Sequence, residues 1–202
     1  MDPSLFYRPG ALLSEAELSA ARLDGVLVEV GEGYMPADLP EDDGARAAAL
    51  GPVLSPGYAA SGPTAAWVHG IGDAPPLHHH IQRAVDRRPR VPLRTNVIVH
   101  EGQVPLSDLI FLAGAPVTTR LRTMTDLVLT SSRFSECAVW MRGMAEAFPS
   151  LVPRVQTLLT ARSRMPGKRA ALAAVSALLN ERAQDEVAQA EPAQDEVTRY
   201  TS

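Results

Sequence analysis

The order of the periodic segments constrains this chain most. Apolar, strand-like runs gather between residues 77 and 118, and helical periodicity then continues through the C-terminal third. "LHHHIQRAV", "LRTNVIVHEG" and "LSDLIFLAGAPVTT" read as successive strands with polar turns, and they supply the sheet. "TTRLRTMTDLVLTSS" reads as a helix starting at Thr118 or Thr119, with Leu121, Met124 and Val128 on one face and Arg122 placed to pair with Asp126 at i,i+4. "SECAVWMRGMAEAF", "SLVPRVQTLLTARS" and "GKRAALAAVSALLNERAQ" follow as further helices. Strands in one block and helices in the next define the α+β class.

Upstream of the sheet, "LLSEAELSAARL" carries Ser14 as N-cap and Glu17 three residues later, a capping box, with Leu13, Leu18 and Leu23 available for packing. Val26, Val28 and Val30 alternate with Leu27 and Glu29, and Gly-Glu-Gly turns the chain before Tyr34 and Met35, so a hairpin is expected. One helix and a hairpin are the back half of a winged helix; a full helix-turn-helix needs more residues upstream. Asp42 or Asp43 caps a helix over "GARAAALGPVL", and "SPGYAASGP", rich in turn formers, reads as a loop. In "SGPTAAWVHGIG", Ser61 or Thr64 serves as helix cap, Pro63 suits the first turn and Gly70 the left-handed end, while Trp67 or Val68 faces a core. The expected organisation is a degenerate winged-helix-like part at 1–50, an α/β core at 51–130, a helical region at 131–185 and an acidic tail at 186–202, where the pentamer "AQDEV" occurs twice, at 183 and 193.

The charge is uneven along the 202 residues. Residues 1–50 hold 3 Lys/Arg against 10 Asp/Glu, residues 51–180 hold 14 against 7, and residues 181–202 hold 2 against 6. A basic middle between acidic ends suits phosphates or an acidic surface, with the ends able to compete for it. The longest nearly apolar run, "AALAAVSALL", is about half of what a bilayer requires. The N-terminus lacks a basic start before an apolar core, and the lone Cys137 has no intramolecular partner, so no membrane association and a cytoplasmic protein are expected.

Few residues are spaced for chemistry. His78-His79-His80 invites a metal, yet a strand puts at most two of the three on one face and no Cys or acidic residue stands at ligand spacing; a polar edge strand is expected, and no metal. No G-x-S-x-G elbow accompanies the Ser, His and Asp residues, and "GEG" at 31–33 lacks the further Gly and the Lys of a phosphate loop. Candidates for holding nucleic acid or phosphate are Arg83, Arg87, Arg88, Arg90 and Arg94 in one cluster, and Arg162, Arg164, Lys168 and Arg169 in another. With aromatic residues at 5%, platforms for stacking single strands are scarce.

Two separated motifs carry a resemblance. "SGPTAAWVHGI" followed, after strands, by "LAGAPVTTRLRTMTDLVL" resembles the AbiEi family of antitoxins from type IV toxin–antitoxin systems. The matching positions are Thr64, Ala65, Ala66, His69 and Gly70, then Val117, Thr118, Arg122, Thr123, Asp126 and Leu127; Trp67 sits inside the first motif. The resemblance covers roughly residues 12 to 130, and implies a cytoplasmic bacterial antitoxin paired with a nucleotidyltransferase toxin. It implies two further roles: modification of the toxin on Ser or Thr by an atypical kinase, which would use ATP and Mg²⁺, and autorepression through operator DNA. The N-terminal part is short and acidic for a DNA-binding winged helix, which would leave operator contact to the basic clusters. Direct occlusion of the toxin is the remaining alternative. The motif residues themselves read as structural: small alanines, a terminating glycine and a packed aromatic fit a helix–sheet junction, with Arg122 and Asp126 as an ordered pair.

Overall fold

The computed structural model describes residues 5–86, 95–163 and 166–190, the last six of them by backbone alone. The chain opens with helix α1 (Glu15–Leu23), whose capping box forms as its sequence dictates: Ser14 Oγ accepts from the Glu17 amide at 3.3 Å and Glu17 Oε2 accepts from the Ser14 amide at 2.8 Å. Of the three leucines expected to pack, Leu18 is buried while Leu23 is 76% exposed. The cause is angular, since five residues along a helix is about 140° around it. Strands β1 (Leu27–Val30) and β2 (Gly33–Pro36) make the expected hairpin, and Tyr7 extends it by exchanging backbone bonds with Tyr34 at 2.8 and 2.9 Å. Helix α2 (Asp43–Ala49) is capped by Asp42, whose Oδ1 accepts from the Ala45 amide at 2.7 Å.

A five-stranded mixed sheet follows, built from β3 (Tyr58–Ala60), β4 (His79–Arg83), β5 (Val97–Gln103), β6 (Leu109–Leu112) and β7 (Ala115–Thr118) in the order β5-β4-β3-β7-β6. The sheet corrects two expectations. "SPGYAASGP" is not all loop: it holds β3, the central strand, which pairs antiparallel to β4 and parallel to β7. Three residues, buried on both faces, show no alternation by which a strand could be read. Nor is the His78–His80 stretch at an edge, because β5 pairs parallel to β4 on its outer side and both His79 and His80 are buried.

Five helices complete the described chain: α3 (Gly62–Val68), α4 (Arg120–Thr130), α5 (Ser135–Ala147), α6 (Leu151–Ala161) and α7 (Lys168–Ala190). The first "AQDEV" copy lies in α7 and the second falls outside the described residues. Among the described residues, no helix is long and apolar enough to cross a membrane. The architecture is α+β, with four of the seven described α-helices, α4 to α7, following the sheet in the C-terminal part.

Burial divides into two clusters. One joins α2, the hairpin, Ala60 and Val117 of the sheet, and Ala65, Trp67 and Val68 of α3; the other joins α4 through α7 with Ala66. Helix α3 therefore lies between two cores, every residue of it buried. That position explains its run of small residues, which let backbones approach closely on all sides. Arg46 fastens the far end of α3: it lies over the Trp67 ring with its guanidinium carbon 5.5 Å from the centroid, and its Nη1 donates to the carbonyls of Trp67 and Gly72 at 2.8 and 2.9 Å.

Candidate functional site

The two motifs meet at the end of β7. His69 follows α3 as its C-cap, fully buried, and its Nε2 lies 2.8 Å from the Thr118 carbonyl. A carbonyl only accepts, so His69 carries its proton on Nε2, and burial holds its pKa below the usual value. Thr123 Oγ1 donates to the same carbonyl at 3.2 Å and accepts from Thr118 Oγ1 at 2.7 Å, using both lone pairs of the Thr118 oxygen and closing a buried ring of hydroxyls. Thr119 rather than Thr118 is the N-cap of α4, accepting from the Arg122 amide at 3.3 Å. Thr64 does not cap α3; its hydroxyl accepts from the His80 amide at 2.7 Å and ties the helix to β4. Gly70 adopts φ 97°, the left-handed end expected of it.

Beside this junction, the sheet face that meets α4 is polar. The Ser61 amide donates to the carbonyl of His80 directly opposite at 3.0 Å, and Gln82 pairs with His100 on β5, which puts all four side chains on one face. They line a cavity of about 170 Å³ together with Pro63, Asp126, Leu129 and Thr130. His80 Nδ1 lies 2.7 Å from His100 Nε2, close enough for the rings to share one proton. Burial first, then the neighbouring histidines, lower the His80 pKa to about 4, and burial lowers that of His100. Both rings are therefore neutral at pH 7.

Arg122 holds Asp126 and Gln82, two of the residues that line the cavity. Its Nε donates to both Asp126 oxygens at 2.9 Å, its Nη1 to Asp108 Oδ2 at 3.0 Å and its Nη2 to Gln82 Oε1 at 3.3 Å. Burial opposes the charge on Arg122, yet the two carboxylates outweigh it and hold the pKa above its usual value. Burial raises Asp126 to about 6 against the pull of Arg122. The expected Arg122–Asp126 pair is thus present, and the fold adds Asp108 and Gln82, two partners that no local spacing announces.

The basic candidates do not converge on this site. Lys168 Nζ donates to the Thr160 carbonyl at 3.2 Å and to that of Arg162, closing the C-terminal end of α6, while Arg83 Nη1 donates to the Asp86 carbonyl at 2.8 Å. Arg162 and Arg169 are exposed, and Arg162 contributes to the electrostatics of Asp126. Arg87, Arg88, Arg90, Arg94 and Arg164 lie outside the described residues. Sequence reading missed Ser61, His80, Gln82, His100 and Asp108 as members of one site. One signal was available: "HIQ" in β4 puts polar side chains at alternate positions, and His100 interrupts the apolar "VIV" of β5. Among the described residues, no group of three His, Cys, Asp or Glu is arranged to hold a metal ion.

Fold and site define an α+β protein whose helix–sheet junction is hydrogen-bonded through one histidine and two threonines, beside a polar cavity. No family model matches the chain, and no curated protein matches it. Among solved structures it is similar to the RV2827C protein from Mycobacterium tuberculosis, at 16% identity over 79% of this chain and 69% of that one, with a TM-score of 0.33.

Proposed function

We propose that this chain is an antitoxin of the AbiEi type that neutralises a cognate nucleotidyltransferase toxin. One observation carries the reading: the two motifs behind the resemblance, about fifty residues apart, interlock through the His69–Thr118 bond and the Thr118–Thr123 hydroxyls. A shared pattern of that kind has a structural reason to persist as a unit, since each motif supplies the partner the other needs.

Neutralisation by binding has more support than modification. A kinase needs cations for the ATP phosphates and carboxylates for Mg²⁺. Arg122, the cation bonded to two of the cavity's lining residues, is already engaged by Asp126, Asp108 and Gln82. The acidic N-terminal fifty residues, 3 cations against 10 anions, complement the basic groove expected of an enzyme that handles nucleotides or RNA. Operator binding has less support, because two of the four basic candidates among the described residues, Lys168 and Arg83, are bonded to backbone carbonyls.

The test is the intact mass of the nucleotidyltransferase encoded beside this chain, purified after co-expression with it and after expression with an empty vector. Binding predicts an unchanged mass and co-elution of the two proteins. A gain of one or more phosphoryl groups would overturn the binding mechanism in favour of the kinase.

A further inference from the structure

A helix packed on a sheet ordinarily buries apolar side chains between the two, because a polar layer there must be hydrogen-bonded in full or it costs stability. Here the sheet offers Ser61, His80, Gln82 and His100 to α4, and the layer is incompletely satisfied. Ser61 Oγ and His80 Nε2 are buried, in side chains 2% and 1% exposed, and neither makes a hydrogen bond; the nearest carboxylate to His80 Nε2, Glu136, stands 3.8 Å away. Each such orphan counts against the fold, because its desolvation is not repaid by a bond. Two of them at one cavity mark a place where a guest completes the bonding.

Size, wall and charge narrow the guest. A cavity of about 170 Å³ is slightly larger than the roughly 150 Å³ that accepts benzene, so the body is a small ring or a short alkyl chain. Pro63 and Leu129 give it apolar walls. Asp126 and Glu101 line the cavity, Glu136 stands 3.8 Å from His80 Nε2 and Asp108 shares Arg122 with Asp126; against these four carboxylates stand the Arg122 guanidinium and the charge of Arg162, which reaches Asp126, so an excess of two carboxylates remains. An anion is repelled by such a wall and a cation is drawn to it.

We propose that the cavity between α4 and the polar sheet face binds a small primary ammonium with an apolar body, its N–H groups donating to Ser61 Oγ and His80 Nε2. In that state His80 carries its remaining proton on Nδ1 and donates it to His100 Nε2, so the 2.7 Å histidine pair fixes the tautomer that receives the ligand. Asp126, still held by Arg122, and Glu136 supply the countercharge. The proposal is independent of the antitoxin reading, since a protein of any function could carry this pocket.

Benzylamine, benzyl alcohol and benzoate are near-equal in size and differ in charge, which makes them suitable probes. The full-length protein, titrated with each at neutral pH and followed by amide NMR, is expected to show benzylamine shifting the amides of Ser61, Gly62, His80 and Thr130. The affinity should exceed that for benzyl alcohol at least tenfold, and benzoate should leave those amides unmoved. Ser61→Ala, which keeps the backbone and the histidine pair, should weaken benzylamine binding severalfold while the rest of the spectrum stays native. Absence of benzylamine shifts at these amides, similar affinity for all three probes, or undiminished affinity in Ser61→Ala would overturn the proposal.

Discussion

His80 is neutral inside the sheet with its pKa at about 4, against roughly 6.5 in an unfolded chain. As pH falls, the unfolded chain takes up the proton first, so this histidine's contribution to stability is whole above about pH 6.5 and is lost on the way down to about 4, some 3 kcal/mol in all. His69 and His100, also lowered by burial, act in the same direction. Asp126, raised to about 6 by burial, acts against them over the same window, because the folded state binds its proton more tightly. Urea unfolding near pH 7 and near pH 5 should show lower stability in acid, with a shallower slope in His80→Gln. A slope unchanged by that substitution would show that His80 is not the proton acceptor.

A second residue-scale prediction concerns Ala113, which has φ 45° and is the one non-glycine of positive φ among the described residues. With Gly114 at φ 80° it forms the two-residue turn that joins β6 to β7. An alanine there carries about 1 kcal/mol of left-handed strain. Ala113→Gly should raise stability by about 0.5 kcal/mol once the added freedom of the unfolded chain is subtracted, and Ala113→Val should lower it; the thermal midpoint reports both.

At the scale of elements, the junction of β7 and α4 is where the fold is most exposed to a single change. Thr123→Val preserves shape but leaves the Thr118 hydroxyl with no acceptor and takes one donor from its carbonyl, a loss of about 1–3 kcal/mol. Ser14→Ala, by contrast, opens an exposed capping box and should cost about 1 kcal/mol. Denaturant unfolding of the two variants ranks them, and a cap more costly than the junction would contradict this account.

The same two elements mark what was legible in the sequence. Helices α1 and α4 could be read because their caps and their i,i+4 pair are local signals, complete within a few residues. Strand β3 could not, because its three buried residues are recognisable only from the strands beside them. The polar cavity was hidden for the same reason. His80 and His100 are twenty residues apart, and nothing in either segment says that β5 pairs parallel to β4 and brings them to 2.7 Å.

For the whole molecule, the account joins an uneven charge distribution to an interlocked core. Sequence motifs separated by the sheet turn out to be one hydrogen-bonded unit, and the acidic first fifty residues sit at the opposite end of the chain from the helices of the larger apolar cluster. If the chain works as an antitoxin by binding, salt should weaken its hold on a basic partner, because charge complementarity steers that encounter. The central claim is tested most directly by growth. On the antitoxin reading, cells expressing a nucleotidyltransferase toxin encoded beside this chain are predicted to arrest alone and to recover when this chain is supplied from a separate promoter; arrest that persists despite folded, expressed protein would contradict that reading.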